Sequence, residues 1–125
     1  MDSALAWLEG IGESKVLASG WTLTEFCSAA SMKVRTRQAT ASLASQAIER
    51  GRKFIAERIV MLSVEDDDLS AAADLCARSF PPLRAGDALH LALCRRMGAS
   101  IATLDDGMAE AAAACGVPVD LIGPE

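Results

Sequence analysis

"RAGDALHLALCRR" (residues 84–96) is the stretch that decides how this chain folds. It reads as a mostly apolar helix that opens on a lone aspartate, Asp87, with the chain's only histidine, His90, one turn further on the same face. Ahead of it, "FPPLRAG" (80–86) cannot be helical through its two prolines and is expected to be a loop. Behind it, "ASIATL" (99–104) reads as a strand, "DDGMAEAAAACG" (105–116) as a helix and "VPVDLI" (117–122) as a final short strand. Strands that alternate with helices in this way imply βαβ units and a mostly parallel sheet.

The same alternation runs back toward the start. "EDDDLSAAADLCARS" (65–79) predicts a helix whose acidic first turn suits the helix dipole better than a metal site does. "RIVMLSV" (58–64) and "KVLAS" (15–19) predict strands. Between them lie two helices. One starts at Thr22, with Leu23, Phe26, Cys27, Ala30 and Val34 on one face; the other covers 38–57, with Leu43, Ala44, Ala47, Ile48 and Ile55 facing inward. Gly51 inside the second costs on the order of 1 kcal/mol against alanine, so a kink or break is expected there. "DSALAWLE" (2–9) looks helical, ending near Gly10 and Gly12. No internal repeat or linker divides the chain, and 125 residues suit one domain spanning 1–125.

Composition narrows the function classes. No apolar run approaches a bilayer span and no signal peptide is evident, so a cytoplasmic protein without a membrane anchor is expected. The four cysteines (Cys27, Cys76, Cys94, Cys115) lack zinc-knuckle or CxxC spacing and read as small core residues rather than as a thiol nucleophile. A net charge of −5 argues against a general nucleic-acid binder, yet seven of the twelve basic residues fall between Lys33 and Arg58. That stretch is either a solvated helix face or a phosphate-contacting one.

Three carboxylates occupy equivalent places. Glu25 follows the strand "KVLAS", Asp105 follows "ASIATL", and Asp87 opens its helix after the proline loop. In open parallel sheets, ligands bind in the crevice outside the carboxyl ends of the strands. Each acid also has a purely structural reading. "TLTE" (22–25) fits a capping box, and Asp87 and Asp105 could each be an N-cap. His90 lacks partner histidines for a zinc site and reads as a packed side chain, and no nucleophile-elbow sequence supports a Ser-His-Asp arrangement. A phosphate-receiver domain would need a lysine at a late strand end, whereas Lys15, Lys33 and Lys53 all lie early.

"TLTEF" (22–26), "RAGDALHLA" (84–92) and "ATLDDGMAEAA" (102–112) together resemble the three downstream motifs of PIN-domain nucleases, best of all the compact bacterial toxins of the VapC type. The resemblance covers essentially the whole chain. It implies a three-layer α/β fold with a mostly parallel sheet flanked by helices, and an acid cluster holding Mg²⁺ or Mn²⁺. It further implies endoribonuclease activity on RNA, control by a cognate antitoxin, and a homodimer. By motif match, Glu25, Asp87 and Asp105 correspond to the catalytic, metal-binding acids, with Asp106 as an adjacent metal candidate. The residue types suit the chemistry: hard divalent ions take carboxylate oxygens, and such an ion can lower the pKa of a bound water that attacks phosphorus.

The family opens with a strand ending in aspartate, typically D-x-S-x-L. Here only Met1 precedes Asp2, so the first strand is expected to be missing and the domain N-terminally incomplete, by roughly fifteen to twenty-five residues on ordinary βα lengths. Asp2 is then read as a helix cap rather than a metal ligand. The alternative function this motivates is a catalytically impaired PIN-like module that acts by protein binding or dimerisation.

Overall fold

The alternation of short apolar runs with longer helical segments becomes four short strands and five helices among the described residues of the computed structural model, which are 9–11, 15–103 and 105–122. In chain order these are β1 (Val16–Ser19), α1 (Gly20–Arg35), α2 (Ala41–Arg58), β2 (Ile59–Leu62), α3 (Asp66–Ala77), α4 (Ala85–Met97), β3 (Ile101–Thr103), α5 (Asp106–Ala114) and β4 (Val119–Leu121). The α/β reading holds, and so does every strand–helix assignment from residue 15 onward. The expected first helix falls mainly on residues 1–8, outside the described residues; Glu9 and Gly10 are helical and the chain turns at Ile11.

The strands pair two by two. β1 runs parallel to β2 with Val16 opposite Ile59, and β3 runs parallel to β4 with Ile101 opposite Val119. Parallel neighbours need a crossover rather than a tight turn. The α1–α2 pair supplies it in the first case and α5 in the second. By its internal contacts the chain divides into two compact units, residues 14–64 and residues 65–125 together with 1–13.

The 65–125 unit has a dense core, with α4 at its centre. Ala88, Leu89, Leu91, Ala92 and Leu93 are buried on successive faces of that helix, which packs on α3 through Ala72 and Leu75. Met108, Ala111, Ala112, Cys115 and Val117 complete the cluster. Each fully buried leucine contributes about 1.5–3 kcal/mol, so the apolar run "ALHLAL" is what holds the unit together. An ion pair whose carboxylate is buried fastens the start of α3 to the end of α4: Arg96 Nε donates to Asp68 Oδ1 at 2.8 Å and its Nη2 donates to Oδ2 at 3.0 Å. Asp68 Oδ2 also accepts the Glu65 amide at 2.9 Å, so this aspartate closes the N-terminus of α3 as well. The Arg96 guanidinium holds the Asp68 carboxyl below its ordinary pKa. The "EDDD" run is thus the acidic helix start that its position suggested.

The 14–64 unit is built differently. Its buried side chains among the described residues are Ala44 and Ser19 alone, and α1 buries none. Leu43, expected to face inward, is 58% exposed, and Ala47 is exposed too; the inward row of α2 is Ala44, Ile48, Gly51 and Ile55. Thr40 caps α2 by accepting the Leu43 amide at 3.1 Å. The break expected at Gly51 is absent, because α2 runs unbroken through it. A Cβ at position 51 would lie 2.6 Å from Cε1 of Phe26, so glycine is there to admit that ring. The cysteines also divide: Cys115 is buried, Cys27 and Cys94 are half-buried, and Cys76 is exposed because it follows the inward Leu75 on α3.

Candidate functional site

α4 begins earlier than its lone aspartate suggests. Arg84 is the N-cap, with its carbonyl accepting the Ala88 amide at 3.0 Å, and Asp87 is the third helical residue. The reading of Asp87 as an N-cap is therefore corrected: the extended backbone of the proline loop ends at Arg84, and the helix takes over from Ala85. Asp87 remains in the first turn, half-buried, where the helix dipole favours a carboxylate.

Asp105 does cap its helix. Its Oδ1 accepts the Gly107 amide at 2.9 Å, and its own amide donates to Thr103 Oγ1 at 3.0 Å, which fixes the turn from β3 into α5. The lack of a side chain at Gly107 keeps that cap open, since a Cβ there would stand 3.3 Å from Asp105 Oδ1. The cap uses one of the two carboxylate oxygens. Asp106 is the first residue of α5, exposed, and does not line the groove described next.

Asp87 and Asp105 meet at one groove of about 470 Å³. One wall is the loop from Phe80 to Arg84; the other is α5, which adds Met108 and a third carboxylate, Glu110. Arg84 is the groove's one cation, and among the described residues it forms no ion pair with any of these acids. Glu110 escaped the sequence reading, although it follows Asp106 by one helical turn. Phe80 escaped it too, because a loop assignment says nothing of where a side chain projects.

Glu25 belongs to the other unit. It was expected in the first turn of its helix as the closing member of a capping box begun by Thr22. Instead α1 starts at Gly20, Ser19 is the N-cap, and Thr22 holds the third helical position. The Ser19 amide donates to Thr22 Oγ1 at 3.5 Å, a long contact, while the Ser19 hydroxyl is buried without a partner among the described residues. The serine at the end of β1 pre-empts the threonine three residues on, and Glu25 falls into the second turn, half-buried. His90 is half-buried on α4, outside the groove lining. Among the described residues, no three histidine, cysteine, aspartate or glutamate side chains are close enough together to form a ready-made metal cage.

Residues 1–114 match the PIN domain family. The chain belongs to that family. PIN domains are in general nucleases, so a nuclease-type activity on nucleic acid follows, and they typically depend on divalent metal ions. The match spans Glu25, Asp87 and Asp105 and both helices that border the groove. No curated protein matches the chain closely enough to be counted as a relative. No helix among the described residues is long and apolar enough to cross a membrane.

Proposed function

We propose that this PIN domain is a metal-dependent endoribonuclease of the VapC toxin type, acting in the cytoplasm as a homodimer held in check by a cognate antitoxin. The observation that carries the reading is the shared groove. Two carboxylates placed by different helices, Asp87 and Asp105, border one cavity together with Arg84, which forms no ion pair among the described residues. Capping alone accounts for Asp105 but not for Asp87, and for neither does it require a common cavity.

The donor set suits Mg²⁺ or Mn²⁺. It is all oxygen, and hard ions of this size are held by one or two protein carboxylates plus waters and substrate phosphate. Asp87 and Asp105 would hold the ion, Asp106 lies adjacent to Asp105 in sequence, and Glu25 is a metal-binding candidate by motif match alone. When bound, such an ion neutralises charge on the phosphodiester and lowers the pKa of water beside it. The protein's part is positioning: the Gly107 amide fixes the Asp105 carboxylate, and the packed first turn of α4 fixes Asp87. Mutual repulsion among the groove's carboxylates is relieved when a cation enters, which favours its capture. The basic residues of α2, among them Arg50 and Lys53 on one shallow face, would attract the RNA backbone.

The test is RNA cleavage with Mg²⁺ or Mn²⁺. The reading requires that activity vanish in Asp87→Asn and in EDTA. Cleavage that survives both overturns it.

A second reading is a catalytically impaired PIN module that acts by binding a protein or a second copy of itself. It is favoured by the apolar surface of the 14–64 unit, where Met32 and Leu43 are 53% and 58% exposed. Absence of divalent-metal binding, together with a stable dimer, would select it.

A further inference from the structure

We propose that Phe80 is a stacking platform for an unpaired nucleobase of the RNA that enters the groove. The proposal rests on the nuclease reading above and adds to that site a residue that binds a base of its substrate. Phe80 is 77% exposed, more than any other large apolar side chain among the described residues, so its ring lies in water without gain to the fold. It also lines the groove that contains Asp87 and Asp105. The two prolines that follow it fix their own φ angles, so the ring projects from a stiff segment and little freedom is lost when a ligand meets it.

The groove then offers one group for each part of a nucleotide. Phe80 presents an aromatic face to the base. Arg84, which forms no ion pair among the described residues, is available to a phosphate oxygen. The carboxylates take the cation. A nucleotide suits the groove better than an apolar protein segment does, because Arg84, Asp87, Asp105 and Glu110 place four charged groups beside the apolar lining of Pro81, Pro82, Leu83 and Met108. In a duplex each base is already stacked between neighbours, whereas an unpaired base can be turned onto an aromatic side chain.

The experiment uses the full chain with a short single-stranded RNA carrying one 2-aminopurine, and the same strand annealed to its complement. Cleavage rates are measured in Mn²⁺. Stacking is read separately as quenching of 2-aminopurine fluorescence in Ca²⁺. Phe80→Ala should raise KM for the single strand on the order of 10-fold, leave kcat within about 2-fold and abolish the quenching. Phe80→Trp should retain both, and Phe80→Ala should leave KM for the duplex within about 2-fold, since its paired bases cannot reach the ring. If Phe80→Ala keeps the original KM and quenching, the stacking proposal is wrong while the nuclease reading stands. If the unaltered protein cleaves nothing yet shows quenching that Phe80→Ala loses, the nuclease reading falls and the platform survives. If Phe80→Ala turns a dimer into a monomer with quenching unchanged, Phe80 is a contact between copies and the proposal is overturned.

Discussion

The two units of this chain solve the burial problem in opposite ways. Residues 65–125 carry eleven carboxylates against four arginines, a net charge of −7, yet they enclose a continuous apolar core around α4. Residues 14–64 carry eight lysines and arginines against three glutamates, a net charge of +5, and among the described residues Ala44 is their one buried apolar side chain. Among the described residues, eight of the eleven exposed large apolar side chains lie in that second stretch. Composition therefore does not set where a core forms. What matters is whether apolar positions recur on all faces of a central helix, as in "ALHLAL", or on one face of peripheral ones. A two-stranded parallel ladder flanked by half-exposed helices is marginal by itself, since parallel strands are normally covered on both faces. The unit with the firm core is also the one that can hold two carboxylates in fixed geometry.

The two units should differ most at their most and least buried leucines. Leu91→Ala, which empties a site of 0% exposure on α4, should cost about 3–4 kcal/mol in urea unfolding, whereas Leu43→Ala at 58% exposure should change stability by no more than about 0.5 kcal/mol. Equal effects would remove the distinction between the units. Arg96→Met comes next. It strands the buried Asp68 carboxylate, so the urea midpoint should fall, though by less than for Leu91→Ala because Arg96 itself is about a third exposed. The same pair makes a pH prediction. The pKa of Asp68 is depressed in the folded protein, so the pair's stabilisation is present above the usual carboxylate range and is lost as pH falls through the lower folded value. Asp68→Asn should flatten that acid limb of the unfolding midpoint.

Smaller effects sharpen the contrast from the other side. Gly51→Ala should destabilise by about 1 kcal/mol, because the new methyl meets the Phe26 ring; in a Phe26→Ala background the same change should become stabilising by a similar amount, the ordinary helix preference of alanine. A thermal-melt double-mutant cycle reads this directly. Smallest of all, Arg50→Glu with Lys53→Glu should leave kcat unchanged and make RNA binding less sensitive to salt, the logarithmic slope falling by about one for each phosphate that the protein no longer neutralises.

The order of elements was legible because hydrophobic period and punctuation agree along the chain. Helix starts were less so. At residues 19–25, Ser19 and Thr22 are both acceptable caps, and only the end of β1 decides between them. At residues 84–87 the aspartate is the better cap by residue type, but the backbone after the prolines turns helical first. Gly51 shows a third kind of limit: its reason is a ring on another helix, 25 residues away in sequence, and no local pattern contains it. For the candidate site, Asp87 and Asp105 could be read because acids after strand ends and at helix starts fall on one edge of a parallel fold. Glu110 and Phe80 required coordinates, since one is an ordinary helical glutamate and the other a loop residue until the groove relates them.

A nuclease of this kind requires the groove of Asp87 and Asp105 to capture a divalent ion. Calorimetric titration of Mn²⁺ into the full chain tests this directly, with Asp87→Asn and Asp105→Asn alongside. Asparagine caps a helix about as well as aspartate, so the second variant removes charge without loosening α5. Binding on the order of millimolar or tighter in the unaltered protein, lost in both variants with unfolding temperatures preserved, is the predicted result. Binding undiminished in both, or no binding by any of the three proteins, would contradict it.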